Sequence, residues 1–229
     1  MMKENIFAQK DQKQLWDDQH RRRRTEHRDI ANVPNEFGRK CLGYIPEGAK
    51  ILDLGAASGR DTRFFVREKN CEVYALDFSP VALEQLREDA LADGSVDFIH
   101  PLNADIREIP LSEKNTLDAI YARSSLHVSD PDLEKLLEHV LGMLKVGGYL
   151  MVEGKNLLDP KIQQSMLIAD NLVSDKDGHI RRIWTKEYIM EHIIKKFNLR
   201  LIELNLSSGK RVDKDSHYVN FIAQKHGNE

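Results

Sequence analysis

The chain has 229 residues, of which 41% are hydrophobic and 31% charged, and its formal net charge at pH 7 is -3. This composition is typical of a folded domain with a full core, and it offers no general attraction to nucleic acid or anionic membranes. Cys41 and Cys71 form neither a metal pattern nor a disulfide scaffold. The first residues lack the apolar core of a signal peptide, and no run reaches transmembrane length. We therefore expect a cytoplasmic protein.

Residues 1–45 predict a helical cap that precedes the main domain at 46–229. Trp16 is the large apolar anchor of a polar, helix-permissive stretch, and a dense basic run extends from His20 to Arg28. A solvated helix face explains such a run; a lid over an active site would instead bring its cations to an anionic acceptor. Val33 to Tyr44 predicts a second helix with one apolar face.

The stretch from Ile51 to Gly59 predicts a ligand cradle. Ile51 to Leu54 has the pattern of a short buried strand, and Gly55, Ala57 and Gly59 follow in a loop of almost no side-chain bulk. Backbone N–H groups and a helix dipole converge where such a loop meets a helix, which suits a nucleotide-like ligand. A dinucleotide fingerprint fits poorly because Arg60 stands where a small residue is needed.

This stretch resembles the three-glycine loop of the class I S-adenosylmethionine-dependent methyltransferases. Asp53, Gly55 and Gly59 match that loop, and Ala57 stands at its middle glycine. The run Leu-Lys-Val-Gly-Gly-Tyr-Leu at 144–150 resembles a second junction of the same family. The resemblance implies S-adenosyl-L-methionine as cofactor, with Asp53 and Gly55 supporting its methionine moiety.

Acidic residues end two of the predicted strands. Asp77 follows the strand Glu72–Leu76, where a carboxylate can accept both hydroxyl protons of a ribose; alternatively it caps the helix that Ser79 opens. Phe78 is its neighbour in the predicted site. After a third strand at Val96–His100, Asp105 and Ile106 resemble the family's adenine site, with an ordinary surface turn as the alternative.

The acceptor side is expected after a fourth strand, Leu117–Tyr121, because ligands in open α/β sheets lie beyond the carboxyl ends of the strands. Ala122 should border the cofactor, and Arg123, Ser124 and His127 are the candidate catalytic residues. His127 could act as general base near neutral pH, although a structural hydrogen bond is the commoner role, and alignment alone often suffices for methyl transfer. We predict no metal.

The second half completes an α/β prediction. A helix opening at Asp130 leads to a fifth strand at 149–153, and an insertion at about 155–184, without a clear strand, should form the acceptor pocket. Thr185 caps a further helix, and 199–206 and 217–223 should pair as an antiparallel hairpin. The expected fold is a Rossmann-like, seven-stranded, mostly parallel sheet with an antiparallel C-terminal strand and helices on both faces, which is the class I methyltransferase fold.

The resemblance implies in-line transfer of a methyl group to an oxygen, nitrogen or sulfur atom of a small molecule, with S-adenosyl-L-homocysteine as product. The small-molecule branch that includes tellurite-resistance and thiopurine-type enzymes is the nearest likeness. Partners should be a small-molecule acceptor, with an anionic one as an option, and neither nucleic acid nor membrane. Two alternatives stay open: a non-catalytic module that binds the cofactor or a partner, and a nicotinamide-dependent oxidoreductase.

Overall fold

The computed structural model describes residues 11–26, 33–211 and 214–227; His27 and Arg28 of the basic run lie outside them. The helices are α1 (Gln12–Glu26), α2 (Glu36–Cys41), α3 (Arg60–Lys69), α4 (Pro80–Asp93), α5 (Asp130–Met143), α6 (Pro160–Gln163) and α7 (Lys186–Tyr188), which continues as a π-helix over Ile189–Lys195. The strands are β1 (Lys50–Leu54), β2 (Glu72–Asp77), β3 (Ile99–Asn103), β4 (Leu117–Arg123), β5 (Leu144–Lys155), β6 (Met166–Ala169), β7 (Leu172–Ser174), β8 (Ile180–Arg182), β9 (Leu199–Arg211) and β10 (Lys214–Lys225).

Seven strands form the main sheet, in the order β3-β2-β1-β4-β5-β10-β9. Neighbours among β1 to β5 pair in parallel, whereas β10 pairs antiparallel with both β5 and β9. The strand order reverses direction beside β1, so the carboxyl ends of β1 and β4 flank the crevice where α/β sheets bind ligands. The predicted class I methyltransferase fold, including its antiparallel last strand, is confirmed.

The core lies on both faces of this sheet. Alternate residues of β1 point to opposite faces: Leu52 and Leu54 join the apolar cluster that contains α5 and α7, and Ile51 joins the cluster that contains α2, α3 and α4. All three are at most 1% exposed. A central parallel strand packs against apolar neighbours on both faces, which the apolar residues of β1 satisfy; Asp53 is its buried polar exception.

Three helices begin where side-chain caps predict. The Ser79 hydroxyl accepts from the N–H of Ala82, and the Thr185 hydroxyl accepts from the N–H of Tyr188. Ser129 caps α5, which begins at Asp130 as predicted. Each cap satisfies an N–H group that the first helical turn leaves unpaired.

Several predicted boundaries were wrong. The insertion is not strandless, because β6, β7 and β8 form a small antiparallel sheet within it. β3 begins at Ile99 rather than Val96, since residues 96–98 form a 3₁₀ turn. The polar segment 207–216, expected as a loop, largely extends β9 and β10, because cross-strand pairing supplies its backbone hydrogen bonds. Val33 is 50% exposed and precedes α2 rather than contributing to its apolar face.

Among the helices of the described ranges, none combines the length and the apolar character that crossing a bilayer requires.

The contact between Gly154 of β5 and Trp184 makes a stability prediction. A Cβ on Gly154 would overlap the indole of Trp184, which is 3% exposed and has little room to move. We expect Gly154→Ala to lower the free energy of unfolding by about 1–3 kcal/mol, measured by urea denaturation. Gly209→Ala is the matched control, because a Cβ there meets nothing within 4 Å; equal losses in the two variants would contradict the close approach.

Candidate active site

The loop after β1 has an unusual backbone. Gly55, Ala57 and Gly59 all have positive φ angles, of 75°, 54° and 72°. A side chain on Gly55 would overlap Ser125 in the loop after β4, and one on Gly59 would overlap Leu86 of α4. Glycine is therefore required at both ends of the loop, whereas Ala57 adopts the left-handed conformation at some cost in free energy.

Asp77, at the carboxyl end of β2, holds this loop against α4. Its carboxylate accepts one hydrogen bond from the N–H of Ala57 and one from the N–H of Ser79, both of 2.9 Å. Burial raises the pKa of Asp77 to about 6, against the effect of these two hydrogen bonds, and the charge of Asp17 adds to the rise. The N-cap of α4 is Ser79 rather than Asp77, so the carboxylate of Asp77 holds the cap residue and also contacts the glycine-rich loop.

Asp53 is a second buried carboxyl group, at the other side of the loop. Its Oδ2 accepts from the Thr62 hydroxyl at 2.6 Å. Burial raises the pKa of Asp53 to about 7, although the Thr62 bond opposes the rise. Within the described ranges neither Asp53 nor Asp77 forms an ion pair, so a ligand with hydroxyl donors or positive charge would compensate both.

The remaining predicted cofactor residues lie along the same edge. Asp105 follows β3 and forms a bidentate pair with Arg107, at 2.9 and 2.7 Å. Its Oδ2 accepts only one of these bonds and keeps a lone pair for an amino donor. Phe78 and Ile106 are half-buried, and Ala122 is fully buried at the end of β4. Their contacts with a cofactor remain predictions.

Arg123 and Ser124 lie at the carboxyl end of β4, beside Glu153 of β5. The Arg123 Nε donates to Glu153 Oε1 at 2.8 Å, and the Ser124 N–H donates to the Glu153 carbonyl at 2.7 Å. Burial opposes the charge of Arg123, but the Glu153 carboxylate raises the pKa of Arg123 above its ordinary value. The Arg123 charge is therefore permanent and already paired.

His127 has one ring nitrogen engaged. Its Nδ1 lies 3.1 Å from the backbone N–H of Arg182 and accepts from it, which leaves the proton on Nε2. Burial lowers the pKa of His127 to about 3, and the charge of Arg181 contributes to the fall. The imidazole is thus neutral near pH 7, and its free nitrogen is a donor.

Helix α1 spans the site from the insertion to α4. Gln12 exchanges hydrogen bonds with the backbone at Gly178 and Ile180, of 2.9 and 3.0 Å. The Trp16 ring stacks on His127 with centroids 6.1 Å apart. The Ser79 hydroxyl bonds to Asp17, directly beside Asp77. This position agrees with a lid, a role that remains a prediction.

Arg24 of the basic run fastens α1 to α4. Arg24 pairs with Asp89 at 2.7 Å and with Glu88 at 3.0 Å, both on α4. His20 is 5% exposed, and burial lowers its pKa to about 4. Arg21 pairs with Asp18 on the exposed face of the helix. The sequence left two interpretations open, cations that face an acceptor and a solvated helix face. Arg21 fits the solvated helix face.

One group of donors in the described part of the chain has metal-ligand proximity: Asp175, Asp177 and His179 in the insertion. The carboxylate of Asp175 is already paired with Arg181 at 2.8 Å and Lys161 at 3.0 Å. Against the effect of burial, hydrogen bonding from His179 and the charge of Arg181 hold the pKa of Asp175 well below its ordinary range. These contacts make the group a clasp for the turn between β7 and β8.

Sequence reasoning missed two participants of this edge. Tyr218 was unremarked, and Arg60 served only to reject a dinucleotide fingerprint, whereas Glu153, at the end of the predicted fifth strand, was already a candidate for the acceptor side. Arg60 had the clearer signal, because the residue directly after a ligand-binding loop begins the helix that faces the ligand.

The strand order, the left-handed loop and the acidic residues that end β1 and β2 define a class I methyltransferase fold. Residues 51–148 match a family model described as a methyltransferase domain. The fold of the chain is thus that of the class I S-adenosylmethionine-dependent methyltransferases.

Known relatives agree with this assignment. The chain is 25% identical over 141 residues to carboxy-S-adenosyl-L-methionine synthase of Vibrio campbellii, covering 60% of this chain and 57% of that enzyme. It is 28% identical over 130 residues to glycine/sarcosine/dimethylglycine N-methyltransferase of Actinopolyspora halophila, covering 56% and 22%. The chain thus spans little more than half of the first relative's length and about a fifth of the second's.

A solved structure extends the likeness over nearly the whole fold. The 1,6-didemethyltoxoflavin-N1-methyltransferase of Burkholderia thailandensis, with 1,6-didemethyltoxoflavin and S-adenosylhomocysteine bound, has a TM-score of 0.65. The identity is 17%, and the match covers 97% of this chain and 92% of that one. At this identity the likeness concerns the fold.

The raised pKa of Asp53 predicts a pH-dependent stability difference. Its ordinary pKa is 3.8 and its folded value is about 7, so the folded state favours the protonated form and loses this stability as pH rises through 7. Asp53→Asn cannot ionise, and we expect its stability relative to wild type to rise by about 1 kcal/mol or more between pH 5.5 and 8.

Urea denaturation at the two pH values measures this difference. The exposed Asp97 provides the control. Asp97→Asn removes a solvated carboxylate, so its stability relative to wild type should change little between the two pH values. A difference between Asp53→Asn and wild type that stays constant with pH would contradict the buried, uncompensated state of Asp53.

Proposed function

We propose that the protein transfers the methyl group of S-adenosyl-L-methionine to an oxygen, nitrogen or sulfur atom of a small molecule. The observation that carries this proposal is the pair of buried carboxyl groups, Asp53 and Asp77, on either side of a loop with three left-handed residues. Folding leaves both acids without a cation among the described residues, which suits a cofactor with ribose hydroxyls and positively charged ammonium and sulfonium groups.

Each predicted residue has a place in this assignment. Asp77 would hold the ribose hydroxyls, and Asp53 with Gly55 would hold the methionine moiety. Asp105 and Ile106 would receive the adenine amino group and ring, with Phe78 and Ala122 beside them, and Ala57 and Gly59 would shape the loop around the cofactor. When bound, the cofactor supplies an already activated methyl group, so the protein's task is mainly alignment.

The acceptor would lie between the end of β4 and the insertion. Arg123 and Ser124 border this space, and the lid α1 with the insertion at about 155–184 would exclude water from it. A small-molecule acceptor is supported by the relatives, whose names include glycine, sarcosine and dimethylglycine, and by the heterocycle bound in the Burkholderia enzyme.

We assign His127 a positioning role rather than that of a general base. Its Nδ1 accepts from the Arg182 N–H and thereby fastens the loop after β4 to β8. A neutral ring whose free nitrogen carries a proton can donate a hydrogen bond to the acceptor but cannot remove its proton. Catalysis would then rest on proximity and orientation.

Isothermal titration decides the cofactor. The purified protein is titrated with S-adenosylhomocysteine and, separately, with NAD. Micromolar binding of the first and none of the second is expected; binding of NAD would favour an oxidoreductase. Transfer of a labelled methyl group across a panel of small amines, acids, phenols and thiols then separates an enzyme from a cofactor-binding module, which would bind without transferring.

Asp77 gives the sharpest test of the cofactor site. Asp77→Ala removes the carboxylate proposed to accept both ribose hydroxyls, and we expect the affinity for S-adenosylhomocysteine to fall about tenfold or more. Asp97→Ala, a solvated aspartate outside the site, should bind as wild type does. Unchanged affinity in the folded Asp77→Ala protein would remove Asp77 from the cofactor site.

His127 predicts the shape of a pH profile. With cofactor and an accepted substrate saturating, the pH profile of kcat between pH 5 and 8 should have the same shape in wild type and in His127→Asn. The reason is that the ring of His127 stays neutral throughout this range. The kcat of His127→Asn should be lower than that of wild type, because the loop after β4 is held less firmly. His226→Asn, at an exposed position, is the control. Loss of an inflection near pH 6–7 in His127→Asn alone would restore the general-base role.

A further inference from the structure

Arg60 is a mostly buried cation without a close partner. Its side chain is 19% exposed, and among the described residues one carboxylate lies within 4 Å, with Asp61 Oδ2 3.9 Å from its Nε. That oxygen already accepts from the hydroxyl of Tyr121 at 3.1 Å, and Asp61 Oδ1 accepts from the N–H of Asn35 at 3.0 Å. The guanidinium of Arg60 donates no hydrogen bond within the described ranges.

The other strongly buried arginines behave differently. Each has a carboxylate at hydrogen-bond distance: Arg63 has Asp93 at 2.7 Å, Arg181 has Asp175 at 2.8 Å, and Arg182 has Asp130. A buried guanidinium ordinarily acquires such a partner because desolvation of an unpaired charge is expensive. Arg60 is the exception, and it is the first residue of α3, directly after the glycine-rich loop.

Other cations around Arg60 are already neutralised. Arg123 is paired with Glu153, and Lys155 is paired with Asp159. The ring of Tyr218 lies between them, 5.4 Å from the Arg123 guanidinium and 4.8 Å from the Lys155 ammonium. The carboxylates of Glu153 and Asp159 are thus already engaged by other cations.

Electrostatics at Arg60 agree with this description. Burial lowers the pKa of Arg60, Asp61 opposes the fall, and the charge of Arg123 lowers it further. An anion that entered here would relieve both the desolvation and the repulsion.

We infer that Arg60 binds an oxyanion group of the methyl acceptor, a carboxylate or a phosphate, in the space between the glycine-rich loop, Arg123 and Tyr218. The planar guanidinium suits either group because it donates two parallel hydrogen bonds. Its place directly after Gly59 positions the anion beside the cofactor loop, on the acceptor side. This inference rests on the proposed function for the identity of the ligand, though not for the presence of an anion site.

The acceptor is thereby narrowed to molecules that carry a carboxylate or a phosphate, and Arg60 rather than the basic run would recognise that group. The sequence suggested that cations of the basic run could meet an anionic acceptor, yet Arg24 is occupied by Glu88 and Asp89. Arg60 has no such partner. An acceptor with a fixed anion at Arg60 would be oriented by that contact, which is what transfer by alignment requires.

The test is a titration with three matched probes. Benzoate, phenyl phosphate and neutral benzamide are titrated into the protein saturated with S-adenosylhomocysteine, and into the protein alone. At least one of the two anions should bind at least tenfold more tightly than benzamide. The benzoate and phenyl phosphate arms distinguish a carboxylate from a phosphate acceptor.

Variants connect this binding with Arg60. Arg60→Gln should lose the tenfold preference for the anion while binding S-adenosylhomocysteine as before, and Arg60→Lys should retain part of the preference because it keeps the charge without the planar fork. Arg87→Gln, at an exposed position on α4, is the matched control and should behave as wild type. Thermal melting verifies that each variant is folded.

The outcomes separate this inference from the proposed function. Failure to bind S-adenosylhomocysteine would overturn the proposed function, while the titration of the protein alone would still decide the anion site. Equal binding of benzamide and the anions, no binding of either anion to wild type, or an unchanged preference in Arg60→Gln would overturn the role of Arg60. If Arg60→Gln does not fold, Arg60→Lys decides, because a retained charge without the fork should weaken the anion contact alone.

Discussion

The carboxylate of Asp77 joins the parts of the molecule from which the site is built. It accepts from the loop after β1 through Ala57 and from the first turn of α4 through Ser79, and Ser79 in turn bonds to Asp17 of α1. A neutral side chain of the same shape could not accept both backbone N–H groups as strongly. The loop conformation and the start of α4 therefore depend on one buried acid, which Ser79 connects to α1.

Charge is distributed unevenly along the carboxyl edge of the sheet. Asp53 and Asp77 are buried acids without cations in the described part of the chain, whereas Arg60 is a mostly buried cation whose nearest carboxylate, that of Asp61, lies 3.9 Å away. A folded protein ordinarily pairs such groups with each other, because each alone destabilises the native state. The two acids and Arg60 therefore each lack a partner of opposite charge, and two different ligands could supply those partners.

Local chemistry made much of this fold predictable. Ser79 and Thr185 indicated helix starts through their caps, and the largely apolar stretch Ile51–Leu54 indicated a buried strand, because such signals depend on neighbouring residues alone. The small sheet was missed, since its strands of three or four residues show no alternation and form only by pairing with each other. The positions of Asp53 and Asp77 were predictable from their strands, whereas the isolation of Arg60 depends on which carboxylates fold elsewhere.

Helix α1 is attached to two regions that would serve different ligands. Gln12 and Trp16 contact the insertion and the His127 loop, and Asp17 and Arg24 contact α4 beside the cofactor edge. A rigid helix of 15 residues cannot lift from one region without disturbing its contacts with the other. Under the proposed function, departure of one product would loosen the contacts of α1 over the second ligand, so that exchange at the two halves of the site would be coupled.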